Sequence, residues 1–298
     1  MGIQRFQHLA GCRYWLLLGI IGFLACNQVK PNSKIIGFAN TPQEAIVKDP
    51  RLNEVSGIAD SKANPGYLWV QQDSGNPPEI SLVKKDGSVG KTIRLAHVIN
   101  RDWEDIVLSG GPKPATDYLY IAETGDNLLV YNDYAIYRFE EPLAATDTVQ
   151  HLDRIAFFYP DGSHNAEAIL VDPESKDIYI ITKTETRSKI FRLKYPYSTT
   201  HMNRVEEVGT LSYNYAVSAA IAPNGKEIVV KTYDAIYYYQ RSASESLVQA
   251  LLKEPTKLPY IQEPQGESIV FDNNNTGYYT LSEKALSSSV KLYYYGRQ

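Results

Sequence analysis

Ser56, Glu104, Glu167, Ser218 and Glu267 each stand at the head of an apolar run, at successive intervals of 48, 63, 51 and 49 residues. Gathered in one place, three carboxylates and two hydroxyls would offer only hard oxygen donors. Such a set repels itself unless something positive sits among it. Oxygen donors without His or Cys suit Ca²⁺, which takes about 6–8 oxygens, with carbonyls or water completing the shell. The plainer reading is a solvated polar channel in which each Glu bonds neighbouring backbone. Choosing between them depends on the elements that carry these residues.

Each of the five opens the same phrase: an apolar strand, a polar turn, then a second strand. The phrases are "VSGIADSKANPGYLWVQQDSG", "WEDIVLSGGPKPATDYLYIAETGDN", "AEAILVDPESKDIYIITKTE", "VSAAIAPNGKEIVVKTYD" and "GESIVFDNNNTGYYTLSEK". A third strand follows in every unit: "EISLVKK", "YAIYRFEE", "KIFRLKYP", "AIYYYQR" and "VKLYYYG". A fourth follows in three of them: "KTIRLAHV", "RIAFFYP" and "RVEEVGTLSY". Four strands in a repeat of about fifty residues is the plan of a β-propeller blade. The 23 tyrosines suit half-buried pleated surfaces. The fold expected is therefore all-β, a five-bladed propeller over residues 34–298, with six blades as the alternative. The stretch "SASESLVQALLKE" reads as a helical insertion in the fourth unit. The fifth unit lacks a fourth strand, and "SKIIGFAN" (33–40) is a strand without a unit. It is expected to complete the last blade and close the ring, removing its free edges.

In a propeller the first strand of each blade lines the central channel, so the five lead residues converge at one mouth. The second strand runs back to that mouth and brings Asp73, Asp126 with Asn127, Lys183, Lys231 and Glu283. The loops entering each first strand add Arg101, Asp102, His164 and Gln265. Acids, a histidine and two lysines facing one cleft suit an active site or a polar-ligand site. Each also has a simpler reading. Asp73 and Asp126, beside glycines, can hold turn backbone. Trp103 can be packing, the lysines can pair with neighbouring carboxylates, and His164 can be an ordinary loop residue.

The ring itself, Ser, Glu, Glu, Ser, Glu with one per blade, resembles that of the calcium-activated apyrase nucleotidases, five-bladed propellers with calcium on the axis. That resemblance implies Ser56, Glu104, Glu167, Ser218 and Glu267 as calcium ligands. Further phrases resemble bacterial secreted and lipoprotein propellers of unassigned function: "SGI" at Ser56–Ile58, Asn64–Gly75, "DWEDI" at Asp102–Ile106, "GDN" at Gly125–Asn127, "AEA" at Ala166–Ala168 and Gly266–Glu283. The second resemblance spans most of the chain and implies the fold.

Three functions fit these residues. One is a calcium-dependent hydrolase of phosphoesters or phosphoanhydrides, with the ion holding phosphate oxygens and Lys183 or Lys231 balancing their charge. The second is a module binding a glycan, peptide or protein at the mouth. The third is a lactonase or esterase, though such calcium sites usually include an Asn that this ring lacks.

The first residues bear on location. Arg5 and Arg13 precede "YWLLLGIIGFLAC", a run with the plan of a signal peptide over residues 1–25. "FLAC" resembles a bacterial lipobox, which makes Cys26 the lipidation site and residues 26–33 a tether. A lipid-anchored, monomeric envelope protein is expected, with membrane partition that Cys26→Ala abolishes. Cys12 is then discarded and no disulfide remains. The net charge of −4, or −6 without Arg5 and Arg13, argues against nucleic acid as a partner.

Overall fold

The computed structural model describes residues 37–298. The expected signal peptide, the expected lipidation site Cys26 and the expected tether lie outside the described residues. The chain first forms β1 (Gln43–Ile46) and then five antiparallel units. The first unit holds β2 (Val55–Asp60), β3 (Tyr67–Gln72), β4 (Glu79–Lys84) and β5 (Val89–Leu95). The second holds β6 (Trp103–Gly110), β7 (Asp117–Glu123), β8 (Tyr134–Glu140), the short β9 (Thr148–Val149) and β10 (Asp153–Phe158). The third holds β11 (Ala166–Val171), β12 (Ile178–Thr182), β13 (Lys189–Leu193), β14 (Asn203–Arg204) and β15 (Glu206–Thr210). The fourth holds β16 (Ser218–Ile221), β17 (Glu227–Lys231), β18 (Ile236–Gln240), helix α1 (Leu247–Leu251) and β19 (Thr256–Lys257). The fifth holds β20 (Ser268–Phe271), β21 (Gly277–Leu281) and β22 (Lys291–Gly296).

Apart from β9 and β14, each of which joins the sheet of the preceding unit, the strands of each unit make one sheet, so the protein is an all-β, five-bladed propeller. The fifth sheet runs β20-β21-β22-β1, and β1 is the strand that closes the ring. The closing strand sits further along the chain than "SKIIGFAN". Gln43–Ile46 pair with Tyr294 back to Lys291, while Phe38 bridges Arg297. Between these two stretches the edge is broken at Asn40–Pro42, where Pro42 has no N–H to offer the ladder. Phe38 is nonetheless anchored: it is buried, packs edge-on to Tyr278 at 4.9 Å, and lies under the Arg297 guanidinium at 4.7 Å. At the end of the chain the Gln298 amide donates to Gly37 O at 2.9 Å.

Two strands invisible in the repeat stitch the blades together. β9 leaves the second unit to pair parallel with β5, and β14 leaves the third to pair parallel with β10. The loop that carries β9 accounts for part of the longest repeat interval. Helix α1 falls inside the expected insertion but is only five residues long. Ser246 caps it in a reciprocal capping box with Gln249, and Leu247, Ala250 and Leu251 pack between blades 3 and 4.

The core lies between blades rather than within any one of them. An apolar cluster fills each of the five junctions, including the one between blade 5 and blade 1, where Tyr279 and Leu281 meet Val55, Ile58 and Leu68. The first strands are covered on both faces, and every residue of β2 and β11 is buried. The far half of the channel encloses about 110 Å³, walled by side chains such as Ile58, Leu108, Val171 and Phe271.

Candidate metal centre at the channel mouth

The lead residues reach the axis through a local device. In blade 1 Val55 pairs with Gln72 and Gly57 with Gln71, so Ser56 is left out of the ladder. In blade 3 Ala166 pairs with Thr182 and Ala168 with Ile181, leaving out Glu167. In blade 2 Trp103 pairs with Glu123 and Ile106 with Ile121, so that Glu104 and Asp105 together oppose Ala122. A β-bulge of this kind bends the strand and re-aims the extra side chain. Blades 4 and 5 have no bulge there; Ser218 pairs in register with Lys231, and Glu267 stands just before β20.

Two of the five lead residues do not join the acids at the mouth. Ser56 Oγ donates to Trp103 O at 3.1 Å and accepts from Gln71 Nε2 at 3.1 Å. Ser218 Oγ donates to Asp105 Oδ1 at 3.2 Å and accepts from Ile269 N at 3.3 Å. Both hydroxyls thus tie one first strand to the next. Asp105 is a larger tie of the same kind. It is 1% exposed and accepts the amides of Ile106, Ile169 and Ala219, from blades 2, 3 and 4. Burial pushes its pKa up to about 8 even though these donors pull it down. "DWEDI" contains Asp105, but the alternation of a strand gives no sign that a bulge turns it inward.

Glu104, Glu167 and Glu267 do come together, and loop residues join them. One oxygen each from Asp73, Asp102 and Glu104 lie within 4.8 Å of one another. If all were ionised, each pair at that spacing would repel by about 3–4 kcal/mol at an effective dielectric constant of ~20. The protein builds this contact deliberately from several elements. Asn100 Nδ2 donates to Gln72 O and Asp73 O at 2.9 and 2.8 Å. Buried Glu123 accepts from the Asp102 amide at 2.7 Å and from the Trp103 indole at 3.0 Å. Gly125 supplies the missing volume: a Cβ there would sit 2.3 Å from Glu104 Oε1 and 2.4 Å from Asp102 Oδ2.

The titration of the mouth follows from burial and crowding. Burial raises Glu104 well above the usual carboxylate range, and the charges of Glu167, Asp73, Asp102 and Glu267 add to it. Burial and the neighbouring Asp73 push Asp102 up to about 6. Burial raises Glu167 to about 8 despite the nearby Lys183. Burial and the charge of neighbouring Glu267 raise Glu283 to about 9. Lys183 donates to Glu167 Oε1 at 2.5 Å; burial opposes its charge, but the surrounding carboxylates hold its pKa above the ordinary value. Tyr233 completes the wall, donating to Glu267 Oε1 at 2.7 Å with Lys183 Nζ 5.1 Å from its ring centre.

The other candidates have separate places. Lys231 is fully buried behind the mouth, 3.3 Å from Glu263 Oε2 and 2.8 Å from the Tyr260 hydroxyl, and it also donates to Gly266 O. Burial lowers its pKa against the pull of Glu263. A Cβ on Gly266 would collide with all three groups of this cluster. Asp126 serves a turn, accepting Val130 N, Tyr131 N and the Tyr134 hydroxyl at 2.8, 2.9 and 2.8 Å. His164 bonds Asp161 at 2.9 Å and packs on Tyr159 and Phe191. Asn127 Oδ1 accepts from Asn165, Arg101 lies 4.0 Å over the Tyr131 ring, and the Gln265 carbonyl accepts the Glu283 amide.

A cation fits this donor set on two observations besides its charge. Glu167 is 3% exposed, yet its Oε2 has no hydrogen-bond partner among the described residues. The absence of a Cβ at Gly125 leaves the room in which Asp102 and Glu104 approach each other. Gln71 Oε1, beside Ser56 and the Glu104 backbone, is likewise buried without a partner.

No family model matches the chain, and no curated protein matches its sequence. Among solved structures it is similar to a luciferin-regenerating enzyme, with 10% identity and a TM-score of 0.48 over 86% of this chain and 95% of that one. It is similar to the hydrazine synthase of Kuenenia stuttgartiensis, with 11% identity and a TM-score of 0.44 over 80% and 82%. It is similar to the Dos1 propeller, with 11% identity and a TM-score of 0.37 over 77% of this chain and 52% of that one. These likenesses are of fold alone. The chain is a five-bladed β-propeller whose mouth gathers an acidic triad able to hold a metal ion.

Proposed function

We propose that the mouth binds calcium and that the protein is a calcium-dependent hydrolase of phosphoesters or phosphoanhydrides. One observation carries the reading: oxygens of Asp73, Asp102 and Glu104 lie within 4.8 Å of one another, and neighbouring buried Glu167 keeps an Oε2 without a partner among the described residues. Only oxygen donors are present, which favours a hard cation over zinc or copper. When bound, the ion would polarise a phosphate oxygen and offset its charge. Lys183, paired with Glu167, is the second positive group at the site, and Glu283, crowded by Glu267, is the candidate to exchange a proton with water. Lys231, buried in its own ion pair, has no part in this.

A cation that binds the folded ring alone stabilises it by about 2.7 kcal/mol at a hundredfold excess over its Kd. The melting temperature should therefore rise with calcium and fall with chelator, and native mass spectrometry should find one ion. Glu104→Gln and Glu167→Gln should blunt the rise, while exposed Glu185→Gln should keep it. Identical melting in calcium and chelator, with no ion found, would rule out the metal. A calcium response without turnover in a panel of phosphoesters, phosphoanhydrides, lactones and aryl esters would leave a binding module in place of the hydrolase.

A further inference from the structure

The loop between β7 and β8 exposes three consecutive apolar side chains: Leu128 at 81%, Leu129 at 55% and Val130 at 61%. This is no slack segment. The Asp126 carboxylate holds the amides of Val130 and Tyr131, the Asp126 carbonyl accepts the Leu129 amide at 3.0 Å, and Ser163 Oγ donates to Tyr131 O at 2.7 Å. Arg101 stacks over Tyr131 from the neighbouring loop. Leu129 is held at φ +54°, a left-handed conformation that a branched side chain rarely adopts. Strained backbone held in place by its surroundings is a mark of functional loops. The neighbouring loop adds Ile99, 77% exposed.

Both apolar groups are chained to the acids. Leu128 is three residues beyond Gly125, which lies against Glu104 and Asp102. Ile99 is three residues before Asp102. Three residues of chain reach at most about 11 Å. The two loops, joined where Arg101 stacks on Tyr131, thus keep an exposed apolar shelf within that reach of the acids.

We infer that this shelf is a specificity site for the apolar tail of an amphipathic substrate whose anionic head meets the cation. The inference rests on the function proposed above and adds the substrate class: alkyl or acyl phosphoesters rather than fully polar ones. A small ligand is favoured over a second protein because the shelf is one loop tip and one neighbour, continuous with the mouth and far smaller than a protein interface.

The test is a binding series of methyl-, butyl- and hexylphosphonate, measured by calorimetry with and without calcium, on wild type and on Leu128→Ser/Val130→Ser. Half-burying each methylene against the shelf should tighten binding by about twofold. The double variant should bind methylphosphonate as the wild type does and lose the dependence on length. Its calcium-induced melting shift should be unchanged, which shows the fold and mouth intact. No length dependence in wild type, or the same dependence in both proteins, overturns the shelf while leaving the calcium reading untouched. Length dependence that the variant loses, but that needs no calcium, keeps the shelf and removes the ion from head binding. Capture by phosphatidylcholine vesicles that the variant loses, without a phosphonate series, would assign the loop to a membrane and overturn the proposal.

Discussion

Gly125 shows how narrow the conditions at the mouth are. Its neighbours Glu104 and Asp102 occupy the space that any side chain would need, so Gly125→Ala must push at least one carboxylate away. The expected result is at least a tenfold loss of calcium affinity, read as a vanishing melting shift. Gly110→Ala is the matched control, since a Cβ there meets nothing within 4 Å, and it should keep the shift. Sequence put Glu104, Glu167 and Glu267 at the heads of three first strands, and the structure brings these three side chains into one another's neighbourhood. It also named Asp73 and Asp102 as mouth residues, but ranked two serines above them. Spacing cannot tell a hydroxyl free to bind an ion from one consumed by a neighbouring strand, as Ser56 and Ser218 are. Glu123, Asn100 and Tyr233 were missed because they act through loop geometry, which carries no periodic signal.

At the scale of elements, the closing strand is the part on which the ring depends. β1 covers the outer edge of β22 along four residues. Removing the chain through Ile46 would leave that edge bare, and bare edges recruit other chains. Truncation before Gly37 should leave the melting temperature within about 2 °C of the full chain, whereas truncation after Ile46 should lower it by about 10 °C or more and yield aggregates on gel filtration. Equal melting of the two would mean that closure rests on inter-blade packing alone. The blades themselves were legible from the repeat of strand, polar turn and strand. β1 was not, because "QEAI" is short and mostly exposed and so lacks the apolar alternation that marks a strand. β9 and β14 were invisible for a different reason: two residues are too few to show any period. The bulges under Ser56, Glu104 and Glu167 leave no compositional trace either, although they decide which way those side chains face.

The molecule as a whole stores protons on its axis. Burial raises Asp102 to about 6, Asp105 and Glu167 to about 8 and Glu283 to about 9, all above the unfolded carboxylate range near 4. The folded state then binds more protons than the unfolded one between roughly pH 4 and pH 9, so stability falls as pH rises across that window. Metal-free protein should melt highest near pH 5 and progressively lower towards pH 9. Under the function proposed above, calcium would displace these protons as it binds, so it should flatten the curve and bind more tightly as pH rises. A metal-free melting temperature that is constant over this range would refute the crowded, proton-rich mouth. One further property follows from the Gln298–Gly37 hydrogen bond. β22 starts beside Leu281 at the mouth and ends beside Gly277 at the opposite face, so the chain enters and leaves the ring together, on the side turned away from the acids. A fusion partner, an immobilising tag or a surface linker joined at either point would therefore point the mouth outward and leave it open to traffic, and a short loop joining Gly37 to Gln298 would let the propeller be cut and restarted between any two blades.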